Sequence, residues 1–99
     1  MYGLIGRIKA VAGKRGELAA VLVQDGGMPG CLSYIVAEDA DDADALWVTE
    51  VWTDKAAHDA SLGLPAVQAA IARGRPLIAG FDSRVETKVL GGIGLRGSR

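Results

Sequence analysis

The stretch TEVWTDKAAHDASLGLP, Thr49 to Pro65, carries the single histidine of the chain and one of its two tryptophans, His58 and Trp52, with Glu50 and Ser61 close by. Imidazole is the side chain that takes and returns a proton near neutral pH. If a strand ends at Trp52 and a helix follows, His58 falls in the first two helical turns. It then leans back over the strand face that bears Glu50 and Trp52. The result is an apolar room holding a base, a carboxylate and an indole N–H, which suits general base chemistry on an aromatic substrate. His58 is the expected base, with Trp52 and Tyr34 packed against the substrate ring and Thr49 or Ser61 bonding one of its oxygens. A plainer reading stands beside it: a hydrogen-bonded structural histidine and a tryptophan that fills core volume. Glu50, on an otherwise apolar strand face, needs a cationic partner or a function. Arg73 or Arg75 is the expected partner, and Tyr34 points either into the same room or toward a second subunit.

Other chemistries fit the residues poorly. One histidine and one cysteine cannot assemble an ordinary zinc site within one chain. GIGLRG, Gly92 to Gly97, matches the letters of a dinucleotide-binding glycine motif, but no helix follows it to receive a pyrophosphate. DADDADALWVTE has Ala43 and Asp44 where a calcium loop needs a ligand and a glycine, so it reads as a solvated hairpin. No metal and no cofactor is expected. Eleven basic against twelve acidic residues give a net charge of −1, which recommends no nucleic acid partner. As the single cysteine, Cys31 cannot make an intrachain disulfide, and MYGLIGRIKAV is too charged and too short for a signal or a membrane span. A cytoplasmic protein with no membrane association is the expectation. The 99 residues make one domain, and 49% hydrophobic content with a mean hydropathy of +0.22 is more apolar than a solitary domain needs.

The elements that must position these residues follow from periodicity. YGLIGRIKAVAG alternates as a first strand, with Leu4, Ile8 and Ala10 opposite Ile5, Arg7, Lys9 and Val11. KRGELAAVLVQDGG has Leu18, Val21, Leu22 and Asp25 at helical spacing and a stop at Gly26 and Gly27. GCLSYIVAED is a second strand, and EDADDADA a hairpin into the third, LWVTEVW. That third strand sets Leu46, Val48, Glu50 and Trp52 against Trp47, Thr49 and Val51, apolar on both faces, so each face needs a cover. Asp54 caps the helix KAAHDAS, which Gly63 ends. Pro65 opens AVQAAIARG, with a buried stripe of Val67, Ala70 and Ile71, and Pro76 ends it. FDSRVETKVL, with Phe81, Ser83, Val85, Thr87 and Val89 on one face, is the fourth strand. Residues 1–90 form the domain, and 91–99 a glycine-rich tail that is mobile or straps onto a partner. The order is that of a ferredoxin-like, split βαβ, α+β fold with a four-stranded antiparallel sheet. Helices cover one sheet face, and the uncovered face asks for a second copy of the chain, a homodimer.

The segment LWVTEVWTDKAAHDASLGLPAVQ resembles the hallmark of the antibiotic biosynthesis monooxygenase domain family, with Glu50, Trp52, Asp54, His58, Ser61 and Pro65 in the family's order. The likeness extends from Tyr2 to Leu90 and includes the G-C-x-S-Y second strand, Gly30 to Tyr34. The resemblance implies a dimeric α+β barrel whose two sheets face each other, with a pocket between sheet and helices in each subunit. Characterised relatives include cofactor-independent oxygenases of phenolic polyketides or quinols, haem degraders and isomerases of small sugar-like signals. Trp52 stands where oxygenase relatives place a pocket tryptophan, and His58 where some place a hydrogen-bonding aromatic. The haem-degrading branch uses a first-strand asparagine, and this chain has no asparagine at all. The expected function is a cofactor-independent monooxygenase of a phenolic or quinol-type aromatic small molecule, with molecular oxygen as co-substrate. The alternatives are a non-catalytic small-molecule-binding module and an isomerase of a small hydroxy-ketone.

Overall fold

A computed structural model describes residues 1–23 and 27–95 of the chain. The elements run β1 (Tyr2–Ala10), α1 (Arg15–Leu22), β2 (Cys31–Glu38), β3 (Ala45–Trp52), α2 (Lys55–Ser61), α3 (Pro65–Gly74), a 3-10 turn (Arg75–Leu77) and β4 (Ile78–Lys88). All strand pairs are antiparallel and the sheet order is β2-β3-β1-β4, so the two central strands come from β1 and β3. This is the split βαβ, ferredoxin-like α+β arrangement that the alternation predicts. Asp25 and Gly26, part of the expected end of α1, lie outside the described residues, as do Arg96 to Arg99 of the tail. Among the described residues no helix is long and apolar enough to cross a membrane.

Period-two alternation decides which side chains meet the helices. On that face, register aligns Tyr34, Glu50, Leu4 and Glu86 in one row, Val36, Val48, Gly6 and Arg84 in the next, then Glu38, Leu46, Ile8 and Phe81. Leu18 of α1 is completely buried against Ile8, Ala10, Leu46 and Val48 and anchors the main core. A second, smaller core of Tyr2, Leu4 and Trp52 takes contacts from Met28, Cys31 and Ala57. The opposite face carries Ile35, Thr49, Ile5 and Val85 as one row across all four strands, and Ala37, Trp47, Arg7 and Ser83 as another. No helix covers it.

One expectation about β4 fails in a specific way. The register shifts between Arg7 and Ile8, which face Ser83 and Phe81, so Asp82 is an inserted residue. A bulge of this kind breaks strict alternation. Phe81 therefore joins Ile8 on the helix face, while Ser83, Val85 and Thr87 stay on the open face. Asp82 reaches Arg7, which is also held by Asp39 at 3.3 Å and Asp42 at 3.0 Å and stacks 5.9 Å over the Trp47 ring. The β2–β3 hairpin is built around the same carboxylates: Asp39 accepts the backbone N–H groups of Asp41 and Asp42, both at 2.9 Å, and the Trp47 indole at 2.8 Å. Those donors hold the Asp39 carboxyl well below the usual range, and Lys9 leads the interactions that pull Asp42 down to about 2.

Candidate functional site

The site is assembled where β3 turns into α2. Trp52 closes β3 and Asp54 begins α2, its Oδ1 accepting the Ala57 N–H at 2.8 Å, so the chain reverses within two residues. Gly30, just ahead of β2, has φ +82° and lies so close under α2 that an added Cβ would stand 2.6 Å from Ala57 Cβ and 3.0 Å from Thr53 Oγ1. A glycine is required there on both counts. With α2 seated this low, His58 and Ser61, one turn apart, form its buried face.

His58 is 8% exposed and Trp52 1% exposed. The imidazole packs edge-on to the Trp52 ring at 5.5 Å between centroids and tilted against Tyr2 at the same separation, with Nδ1 3.1 Å from Asp59 Oδ1. The Trp52 indole N–H donates to Glu50 Oε1 at 3.0 Å. Burial pushes the Glu50 carboxyl above its ordinary value; that indole, and then the charges of His58 and Arg84, pull against the rise. Tyr34, the cross-strand neighbour of Glu50, has its phenol pushed up to about 12, first by burial and then by the Glu50 charge. Tyr2 donates its hydroxyl to Glu86 Oε2 at 2.8 Å with the Arg84 guanidinium beside it.

The structure thus brings together Glu50, Trp52 and His58, with Tyr34 alongside; of the other two expected residues, Thr49 is separated from them and Ser61 turns its hydroxyl back onto its own helix. Thr49 lies on the open sheet face, exposed, with its backbone between Ile35 and Ile5. Ser61 is buried and donates its hydroxyl to the His58 carbonyl at 2.6 Å, a bond internal to α2. Among the described residues no cation is ion-paired with Glu50, neither Arg73 nor Arg75 as expected; the arginine whose charge acts on its carboxyl is Arg84, on β4 opposite Gly6. A Cβ at Gly6 would meet only the Ser83 carbonyl oxygen, 3.7 Å away, so the sheet has open space at its centre on the helix side. Tyr2 and Arg84 were invisible to local pattern; the β1–β3 and β1–β4 registers are what place them.

A cavity of about 600 Å3 opens beside this cluster, between the sheet and the helices α1 and α3. It is in the size range of about 300–1,000 Å3 that holds small ligands. Ile8, Leu18, Leu22, Ala70 and Phe81 line it, and Tyr34 forms its wall on the side of β2. Of the expected site residues only Tyr34 belongs to this lining; Glu50, Trp52 and His58 stand behind it. Among the described residues, no group of three or more histidine, cysteine or acidic side chains is placed to hold a metal ion.

Comparison with known proteins agrees with this architecture. The family model described as Antibiotic biosynthesis monooxygenase matches residues 1–73. A solved structure from Chloroflexus aurantiacus J-10-fl that carries the family's name is 56% identical, covering 95% of this chain and 97% of that one with a TM-score of 0.92. One from Deinococcus radiodurans, likewise carrying the family's name, is 26% identical over 98% of this chain and 100% of that one, with a TM-score of 0.77. A Mycobacterium tuberculosis protein shares the fold at 22% identity and a TM-score of 0.73, covering 93% of this chain and 97% of that one. No functionally curated protein matches the sequence. With the family model matched over most of its length and a solved relative of the same name sharing more than half its residues, this chain belongs to the antibiotic biosynthesis monooxygenase family.

Proposed function

We propose that the protein is a cofactor-independent monooxygenase of a phenolic or quinol-type aromatic molecule, working as a cytoplasmic homodimer with molecular oxygen as co-substrate. The observation that carries this reading is the position of Tyr34. It is at once a wall of the apolar cavity and the cross-strand neighbour of a half-buried carboxylate whose proton affinity is raised. A ring in the cavity has its phenolic oxygen beside Tyr34, and its proton is relayed through water to Glu50, which stands behind that wall and does not itself line the cavity. The raised carboxyl makes a better base than a solvated one, and proton transfer of this kind is worth about 10²–10⁴ in rate. Tyr34, a phenol that keeps its proton, donates a hydrogen bond to the oxygen left charged. The Trp52 indole fixes Glu50 Oε1, and His58, wedged against Trp52 and Tyr2, holds the indole in place.

The substrate supplies the electrons. A quinol and one O2 give a hydroxyquinone and one water: one oxygen atom enters the ring, the other leaves with the two hydrogens lost, and no external reductant is consumed. The protein contributes placement, a proton acceptor and exclusion of water by α1 and α3. Oxygen uptake by the purified protein with a panel of quinols tests this. Uptake that falls about a hundredfold in Glu50→Gln supports the reading; absence of uptake above the autoxidation rate with every quinol removes it. A second reading, a binding module, has one observation in its favour: Trp52 and His58 are packed as core and do not line the cavity. A thermal shift with ligand and no turnover is its signature.

A further inference from the structure

The cavity also constrains what its ligand looks like. Its walls are of two kinds. Ala70 and Gly74 of α3 and Gly80 of β4 present almost no side chain, while the rings of Tyr34 and Phe81 are at its margins. Gly74 packs against α1, where an added Cβ would meet Leu18 Cδ1 at 3.5 Å and Val21 Cγ1 at 3.6 Å, ordinary contact distances. Shallow walls and ring margins favour a flat, rigid guest over a bulky one. The guest does not lie in a closed box. Phe81 is 72% exposed and Ile71 41% exposed, large apolar side chains at a rim that water would otherwise wet.

Among the described residues one charged side chain lines this cavity, Arg75, the residue that follows α3. Among the described residues no carboxylate stands within salt-bridge distance of it, in contrast to Arg7, which is held by three, and Arg15, which is paired with Glu38 at 3.1 Å. A guanidinium offers a planar fork of donors that matches a carboxylate. It stands at the rim with apolar surface running inward to Tyr34. We propose that the ligand of this cavity is an aromatic acid: a flat ring system held between α3 and the sheet, with a carboxylate paired to Arg75 at the rim. The inference rests on the proposed oxygenase reading for the ring's phenolic oxygen, which then points away from the carboxylate, toward Tyr34 and Glu50. It does not rest on that reading for binding itself.

Binding is measured without oxygen, by calorimetry, using 1,4-dihydroxy-2-naphthoate, its methyl ester and dodecanoate as probes. Arg75→Gln is the variant and Arg73→Gln, in the last turn of α3 and outside the cavity lining, the control. The acid is expected to bind about tenfold more tightly than the ester, and Arg75→Gln to weaken the acid about tenfold while leaving the ester within about twofold. Arg73→Gln leaves both unchanged. Raising the salt concentration weakens the acid and not the ester, because Arg75 is exposed. Equal affinity for acid and ester, or an Arg75→Gln variant that binds the acid as wild type does, overturns the proposal. So does dodecanoate binding as tightly as the naphthoate with the same dependence on Arg75, since the site would then select a chain and not a ring. Oxygen uptake measured in parallel separates the two readings. Arg75-dependent binding of the acid without uptake upholds the aromatic-acid site and removes the oxygenase. Uptake with the ester equal to that with the acid, and indifferent to Arg75, does the reverse.

Discussion

Glu50 sits on an apolar strand face where a leucine would pack better, and its carboxyl is raised by the same burial that makes it a stronger base. The sign of the stability effect follows by linkage. A carboxyl with a folded-state value above its unfolded one binds more protons folded than unfolded between those two values, so stability falls as pH rises through that window and the cost persists above it. Glu50→Gln keeps an oxygen for the Trp52 indole and removes the charge. Its melting temperature should exceed that of wild type at pH 7, and the difference should vanish below the ordinary carboxylate range, while turnover drops about a hundredfold. A variant destabilised at pH 7 would mean that the carboxylate is repaid by its partners and is structural. His58→Ala tests the neighbouring group. It opens a void against Tyr2 and Trp52, costing about 1–3 kcal/mol, and turnover should fall about a hundredfold with ligand affinity nearly kept. Unchanged turnover in that variant would leave Glu50 as the only proton acceptor.

At the scale of single elements, β1 carries two glycines with opposite jobs. Gly3 faces the open side, where an added Cβ would lie against Thr87 Oγ1 and 2.8 Å from Val89 Cγ2, both on β-branched side chains that cannot swing away freely. Gly6 faces the helices over open space. Gly3→Ala should therefore destabilise by about 1–3 kcal/mol, and Gly6→Ala should stabilise by about 0.5–1 kcal/mol, a rise of roughly 2–6 °C in melting temperature. Thermal unfolding of the two variants checks the pair, and equal effects would mean that the space over Gly6 is not open in solution. The same strand marks the limit of what sequence could disclose. The pairing of Trp52 with His58 was legible because both ends of it lie within one β3–α2 turn, and alternation alone put Thr49 on the face opposite Glu50. The Asp82 bulge was not legible, because an inserted residue leaves no mark in a pattern of apolar and polar letters until its partner strand is known. Arg84 escaped for a related reason: its charge acts on Glu50 from β4, a strand far away in the chain. The cavity is a product of helix spacing, which periodicity does not encode.

For the molecule as a whole, the open sheet face is the feature that one chain cannot resolve. The row Ile35, Thr49, Ile5 and Val85 crosses all four strands, and Ile35 and Val85 remain 57% and 49% exposed. An antiparallel sheet with one solvated face normally carries polar residues there. This one carries an apolar band, while Arg7 and Lys9 pair with Asp39, Asp42 and Asp82 at one end of the same face, a cluster with one more negative than positive charge. A second copy laid face to face meets apolar band with apolar band, which is the arrangement proposed for the homodimer. Thr49 would then lie within the interface and away from the ligand. A carboxylate placed in that band would be buried without a partner, so Ile35→Asp or Val85→Asp should shift the protein from dimer to monomer in dilute solution, with secondary structure retained. Scattering or sedimentation of the wild type and the two variants gives the answer. A wild type that is already monomeric at micromolar concentration would remove the dimer and leave the apolar band to be explained by another partner; two variants that remain dimeric would place the interface elsewhere on the molecule. If the variants are monomeric and still bind ligand, the cavity is complete within one chain, as its lining from α1, α3 and a single sheet requires.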